Sequence, residues 1–306
     1  MFLVVSALGG VLAAGLIVPT AGVGAEAAKA VAEGVQSLPA ELETPPQAEG
    51  SKVLMADGSV LTNFYDENRI YVTLDNIAPV MRQAQVAIED NRFYQHGALD
   101  LKGTLRALVR TSAGNTQGGS TLTQQYVKLV LLDKAISSND PEQIRAAQAR
   151  TVARKVLELR YAIALEQRLT KDEILERYLN QAYFGEGAYG VEAAARRYFG
   201  STAKKLTLDQ AAMLAGLVRN PVTTNPIKAP KVAIERRNNV LTEMRKLGVI
   251  TAAQEQQARK AGWDPAKVTK TVLGCANSKY PHLCNLVENT LKSLPAMGPD
   301  RETEDL

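Results

Sequence analysis

Polar and apolar positions divide the chain into stretches of different character. Residues 2–18 carry no charge, and the first charged residue is Glu26. With the small residues through Ala25, the run is long enough to span a bilayer. Val23-Gly24-Ala25 also reads as a small-residue cleavage site, so a signal peptide is the rival reading. No Lys or Arg precedes the run. The positive region of a signal peptide is therefore missing, and loop charge gives no orientation. We read residues 1–25 as an uncleaved, single-pass transmembrane helix. Either reading puts the remainder outside the cytoplasm.

Residues 26–52 contain Pro39, Pro45 and Pro46 and little periodicity, which predicts a linker with a short Ala-rich helix over residues 25–36. Residues 51–74 look extended, with Asp57-Gly58 set between Val53-Leu54 and Val60-Leu61 as a hairpin turn. Beyond Asn76 the pattern is helical almost throughout. Thr170 and Glu173 form a capping box flanked by the staple pair Leu169 and Ile174, and Thr207 with Gln210 repeats the box. Leu157, Tyr161, Ala164 and Leu165 share one helix face. Gly185, Gly187 and Gly190 interrupt the helical pattern as a loop. After Ile250 the helices weaken, and the tail from Pro295 reads as disordered. The expected fold class is mainly α with a small N-terminal β element. The expected division is an anchor over 1–25, a linker over 26–52, a catalytic domain over 53–255 and a C-terminal bridge over 256–306.

Composition narrows the function. The chain has 306 residues, 45% of them hydrophobic and 22% charged, with a formal net charge of +4. That charge is too small, and too little interleaved with aromatics, to point to nucleic acid. His96 and His282 are the only histidines and Cys275 and Cys284 the only cysteines, so no zinc site of ordinary ligand spacing can be assembled. Neither phosphate-cradling glycine motif is present. Outside the cytoplasm the two cysteines are expected to form a disulfide, with two buried thiols as the alternative.

Three polar clusters carry the candidate chemistry. The first is Glu89-Asp90-Asn91-Arg92-Phe93-Tyr94-Gln95-His96. Val86, Ala87 and Ile88 precede Glu89, and an apolar setting favours proton uptake by a carboxylate. A surface acid, a capping Asp90 and a core histidine are the plain alternatives. The second is Gln117-Gly118-Gly119-Ser120-Thr121-Leu122-Thr123-Gln124-Gln125, with Lys128 one turn behind. Its glycines free backbone amides, its hydroxyls and carboxamides supply hydrogen bonds, and Lys128 is placed to meet an anion. In the third, Arg154 and Glu158 share a helix face, with Lys155 beside them and Arg150 one turn back. Two acids in different environments, one beside a cation row, suit chemistry at an anomeric carbon.

These clusters, together with Tyr178-Leu179-Asn180, the stretch from Gly190 to Gly200, Gln210 to Leu217, and Arg236-Arg237-Asn238-Asn239-Val240-Leu241, resemble the ordered motifs of glycosyltransferase family 51. That family is the peptidoglycan glycosyltransferase domain of class A penicillin-binding proteins and their monofunctional relatives. The resemblance implies a lysozyme-like, two-lobed fold at the plasma membrane with an extracytoplasmic catalytic domain. The implied reaction polymerises lipid II into β-1,4-linked glycan with inversion and release of undecaprenyl pyrophosphate. It makes Glu89 the general base and puts Lys128, Arg150 and Glu158 at the donor pyrophosphate, directly or with a divalent cation such as Mg or Mn near Glu158. Asp90, Phe93, His96, Gly119, Ser120, Thr121, Gln124, Gln125, Arg154, Lys155 and Asn180 are then substrate-binding candidates. The implied partners are lipid II, the growing lipid-linked glycan, the membrane, moenomycin-type inhibitors and other cell-wall or division proteins.

The chain departs from the family in places. Ala98 stands where a glycine is usual, one position after Gly97. About a dozen extra residues, 133–148, separate the second and third motifs, so Arg150 is placed only by counting back from Arg154-Lys155. Residues 101–117 match the mobile, lipid-contacting lobe, with packing against the core as the alternative. Ser201-Thr202-Ala203-Lys204 has the transpeptidase S-x-x-K spacing, but it lies inside the glycosyltransferase match and no K-T-G follows. A transpeptidase domain is therefore read as absent. A glycan-cleaving lysozyme-like enzyme and a non-catalytic cell-wall scaffold are the competing functions.

Overall fold

The computed structural model describes residue 42 and residues 51–64, 68–100, 120–149, 151–269, 274–275 and 278–294. The expected anchor, nearly all of the linker, the expected lipid-contacting lobe, Gly118, Gly119, Arg150 and the tail from Pro295 lie outside the described residues.

The described chain is mainly helical. Strands β1 (Ser51–Leu54) and β2 (Val60–Phe64) pair antiparallel around the expected turn. The turn closes because Asp57 Oδ1 accepts from the Ser59 backbone N–H at 2.9 Å and Gly58 adopts a positive φ of 80°. Ten helices follow among the described residues: α1 (Pro79–Glu89), α2 (Leu122–Ser137), α3 (Pro141–Gln148), α4 (Val152–Arg168), α5 (Lys171–Gln181), α6 (Val191–Phe199), α7 (Leu208–Leu217), α8 (Pro230–Lys246), α9 (Ala252–Lys260) and α10 (Pro281–Lys292). Both expected capping boxes form, on α5 and α7, and a third at Thr251 and Gln254 starts α9. The extra residues between the second and third motifs include α3, which buries none of its side chains.

The main core is built around α7. From Ala211 to Leu217 every side chain of this helix is buried, so it is apolar all round and needs neighbours on every side. It packs on α1 and α8, while α2 packs on α4 and α5. Helices α7 and α8 approach closely at Gly216, where a Cβ would lie 2.9 Å from Arg236 Cγ on α8. Arg237, almost fully buried, donates to the Arg259 carbonyl at 3.0 Å and to the Ala261 carbonyl at 2.5 Å, satisfying carbonyls at the C-terminal end of α9.

One pairing was not legible in the hydrophobic pattern. Strand β3 (Asn68–Arg69) lies parallel to β4 (Ala188–Tyr189), inside the glycine loop read above as irregular. Two residues are too few to show a period.

A second, small core forms where the β1–β2 hairpin meets residues 275–287. Leu61 of β2 packs with Cys275 and Cys284, backed by Val53, Met55, Phe64 and Val287. The cysteines form the expected disulfide, with their Cα atoms 5.3 Å apart. Thr62 Oγ1 donates to the Gly274 carbonyl at 2.8 Å, and Ser278 Oγ to the Leu61 carbonyl at 2.7 Å. The hairpin thus packs with residues 274–294, while Ala258 of α9 packs in the main core. Among the described residues no helix is long and apolar enough to cross a membrane.

Candidate functional site

Glu89 is the last residue of α1, and Asp90 turns the chain away from the helix with φ −155° and ψ 76°. The Asp90 carboxylate is buried between two donors. His96 Nε2 lies 2.7 Å from Oδ1, and the Leu122 N–H donates to Oδ2 at 3.1 Å. Leu122 opens α2, so the negative charge sits at a helix N-terminus, where it is stabilised. Thr121 caps the same helix, accepting from the Gln124 N–H at 3.2 Å and donating to the Ala98 carbonyl at 3.1 Å. Gln124 Nε2 donates to that carbonyl at 2.8 Å. Asp90, His96, Thr121 and Gln124 therefore stitch the first cluster to the second, and Thr121 and Gln124 are almost fully buried in doing so. Ala98 meets no backbone obstacle: neither it nor Gly97 has a positive φ, so a glycine is not needed there.

The Glu89 carboxylate is half-buried and has polar company. Gln125 Nε2 donates to Oε2 at 3.0 Å, Tyr178 Oη donates to Gln125 Oε1 at 3.2 Å, and Gln85 Nε2 donates to Tyr178 Oη at 3.4 Å. Burial, and then the Glu89 charge, push the Tyr178 hydroxyl well above its ordinary pKa, so it stays a donor. Arg236 of α8 also senses Glu89: burial lowers the guanidinium pKa and the carboxylate opposes that fall. The purely apolar pocket expected for Glu89 is thus a mixed one, because α2, α5 and α8 each bring a polar side chain to it.

The third cluster forms on α4, which begins with Thr151 accepting from the Arg154 N–H. Glu158 is 2% exposed and bridges Arg154 at Oε1 and Lys155 at Oε2, the latter at 3.1 Å. Lys155 Nζ also donates to Ser120 Oγ at 2.6 Å, tying the second cluster to the third. Its pKa falls to about 8, from burial first and then from Arg154 and Lys128, even with Glu158 beside it. Lys128, exposed on α2, therefore completes a group of three cations around one hydroxyl and one buried carboxylate. Such a group suits a multiply charged oxyanion. It does not suit a divalent cation, because both Glu158 oxygens already hold cations and like charges crowd the approach. The ligand atoms of Asp90, His96 and Asp100 lie within 4.8 Å of one another, but Asp90 is bonded to His96 and Asp100 is paired with Arg92.

The remaining predicted residues fall elsewhere. Phe93 is fully buried edge-on to Tyr94, with Lys171 Nζ 4.6 Å from its ring centroid. Asn180 does not join either cluster. Its amide holds the extended segment before α1, accepting from the Val72 N–H at 2.9 Å and donating to the Val72 carbonyl at 2.9 Å. Tyr178, two positions earlier on the same helix, points the other way, toward Gln125. Residues two apart on a helix face nearly opposite sides, so only one of the pair can reach the site. That geometry was the available signal for Tyr178, and the i, i+4 spacing on α1 was the signal for Gln85 beside Glu89.

Comparison with known proteins agrees with the motifs. The transglycosylase family model matches residues 57–245. Penicillin-binding protein 1A of Escherichia coli is 44% identical over 210 residues, covering 68% of this chain and 23% of that protein. Penicillin-binding protein 1A/1B of Bacillus subtilis is 40% identical, covering 72% of this chain and 22% of that protein. Penicillin-binding protein 1A of Aquifex aeolicus is 42% identical, covering 70% and 28%. The chain spans less than a third of the length of these relatives. A crystal structure of penicillin-binding protein 1A from Haemophilus influenzae aligns with a TM-score of 0.45 at 21% identity over 81% of this chain and 25% of that one, a likeness too loose to place individual elements. With a family model that spans residues 57–245, more than half of its length, the chain belongs to the transglycosylase family, the peptidoglycan glycosyltransferase domain of class A penicillin-binding proteins.

Proposed function

We propose that this chain polymerises lipid II, with Glu89 as general base and the Lys128, Arg154 and Lys155 group receiving the donor pyrophosphate. One observation carries the reading. Gln125, which touches Glu89, and Lys128, which crowds Lys155, stand three residues apart on α2. Neighbours at that spacing have Cβ atoms about 5–6 Å apart. A base and an oxyanion site so joined match the two ends of one displacement at a sugar carbon.

In this mechanism the 4-hydroxyl of the acceptor disaccharide faces Glu89. Its oxygen attacks the anomeric carbon as the proton passes to the carboxylate, and the new β-1,4 bond forms on the face opposite the α-linked pyrophosphate. The anomeric carbon–oxygen bond to phosphate breaks, and the leaving charge collects at the three cations and Ser120. Glu158 holds Arg154 and Lys155 in place between turnovers. No step runs through a divalent ion. We further propose a lysozyme-like, two-lobed domain held at the plasma membrane by residues 1–25, facing away from the cytoplasm, with the growing lipid-linked glycan as donor and moenomycin-type compounds as competitors for the donor site.

The test is incubation of the detergent-solubilised protein with lipid II. Glycan strands appearing together with undecaprenyl pyrophosphate are expected. Shortening of preformed glycan without pyrophosphate release would instead favour a glycan-cleaving enzyme.

A further inference from the structure

Glu89 ends a series of hydrogen bonds that all run in one direction. Gln85 Nε2 donates to Tyr178 Oη, Tyr178 donates to Gln125 Oε1, and Gln125 Nε2 donates to Glu89 Oε2, at 3.4, 3.2 and 3.0 Å. Tyr178 is 1% exposed and Gln85 fully buried, so water cannot replace either partner. The order matters because a carboxamide has two faces. Its oxygen and its nitrogen are nearly the same size, and only its partners decide which one meets Glu89. An oxygen turned toward Glu89 would place two acceptors against each other. Because Gln85 Nε2 already donates to its oxygen, the Tyr178 hydroxyl turns its proton to Gln125 Oε1 and disfavours that orientation.

We propose that Tyr178 is a positioning residue for the base: it locks the Gln125 carboxamide so that an N–H always meets Glu89 Oε2, leaving Oε1 to take the acceptor proton. The inference rests on the polymerase reading and adds to it a part played from a helix that touches neither substrate nor reacting atom. Among the described residues, Arg236 on α8 senses the Glu89 charge and lies near Arg219, and neither belongs to the series. They set a constant background that a change at Tyr178 leaves in place.

The experiment measures kcat and KM of lipid II polymerisation for the wild type, Tyr178→Phe, Gln125→Ala and the double variant, each checked for a native melting transition. Tyr178→Phe is expected to lower kcat about tenfold, the equivalent of one hydrogen bond, with KM within about twofold. In the Gln125→Ala background the Tyr178→Phe change should have almost no further effect, since Tyr178 acts through Gln125. Gln85→Leu keeps the bond from Tyr178 to Gln125 and should lose less activity than Tyr178→Phe, which guards against misfolding of the Phe variant. A wild-type kcat in folded Tyr178→Phe, or additive losses in the double variant, would overturn the positioning role while leaving the polymerase reading intact. A wild type that makes no glycan would instead remove the reading on which the role depends.

Discussion

Lys155 is pulled two ways. Burial and the neighbouring Arg154 and Lys128 lower its pKa to about 8, while Glu158 and Ser120 hold its ammonium group in place. A bound pyrophosphate would supply the missing negative charge and favour the protonated form. Donor or pyrophosphate affinity should therefore be full below pH 8 and fall as pH rises through it, by up to about tenfold one unit above. Stability should move the other way. Between about 8 and 10.5 the unfolded chain holds a proton on Lys155 that the folded chain has lost, so this group's contribution to stability rises with pH. Calorimetric titration of inorganic pyrophosphate at pH 7 and pH 9 tests the first statement, and equal affinity would contradict it. Asn180 gives a contrasting case. Asn180→Ala strands the Val72 N–H and carbonyl beside a buried helix, and should cost about 1–3 kcal/mol of stability. Its KM for lipid II per folded molecule should stay at the wild-type value, which steady-state kinetics at low temperature can check. Sequence alone named this segment as part of the site, and packing decides which of its side chains turns where: Tyr178 reaches Gln125 and Asn180 reaches Val72.

Among the elements, α2 does most to connect sequence with chemistry. Its cap fixes Ala98, its first N–H holds Asp90, its second turn touches Glu89, and Lys128 looks toward α4. The capping boxes on α5 and α7 were legible because they depend on residues three apart in sequence. The burial of α7 on all sides and the parallel pair β3–β4 were not, since both depend on partners far away in the chain. Gly216 shows the constraint. Gly216→Ala would press a methyl group to 2.9 Å from Arg236 Cγ, and should cost about 1–3 kcal/mol and displace Arg236. A thermal melt within 1 °C of wild type would contradict the close packing of α7 on α8. The disulfide belongs to the smaller core. Its cysteines are 9 positions apart, and closing such a loop contributes about 2.5 kcal/mol by the chain-entropy account. Replacing both cysteines by serine should speed amide exchange in β1, β2 and α10 and leave α7 and α8 protected, as hydrogen-exchange mass spectrometry would resolve.

At the scale of the molecule, the family motifs lie on separate elements, α1, α2, α4, α5, α6, α7 and α8, and folding brings several of them to one place. The order of the motifs was visible in sequence. Which motif residues bond to one another was not, because Asp90, Thr121 and Gln124 look like ligand-binding groups until their partners, His96, Leu122 and Ala98, are placed beside them. The hairpin's attachment to residues 274–294 likewise joins segments more than two hundred positions apart, as the bond from Thr62 to Gly274 shows with its separation of 212. No local pattern records such a contact. The central claim is that Glu89 is the base of a lipid II polymerase. Its most direct test is polymerisation of lipid II by the wild type and by Glu89→Gln side by side, with melting curves to show that both are folded. The account predicts glycan strands from the wild type and a loss of at least about a hundredfold in the variant. Strands formed at the wild-type rate by folded Glu89→Gln would contradict it.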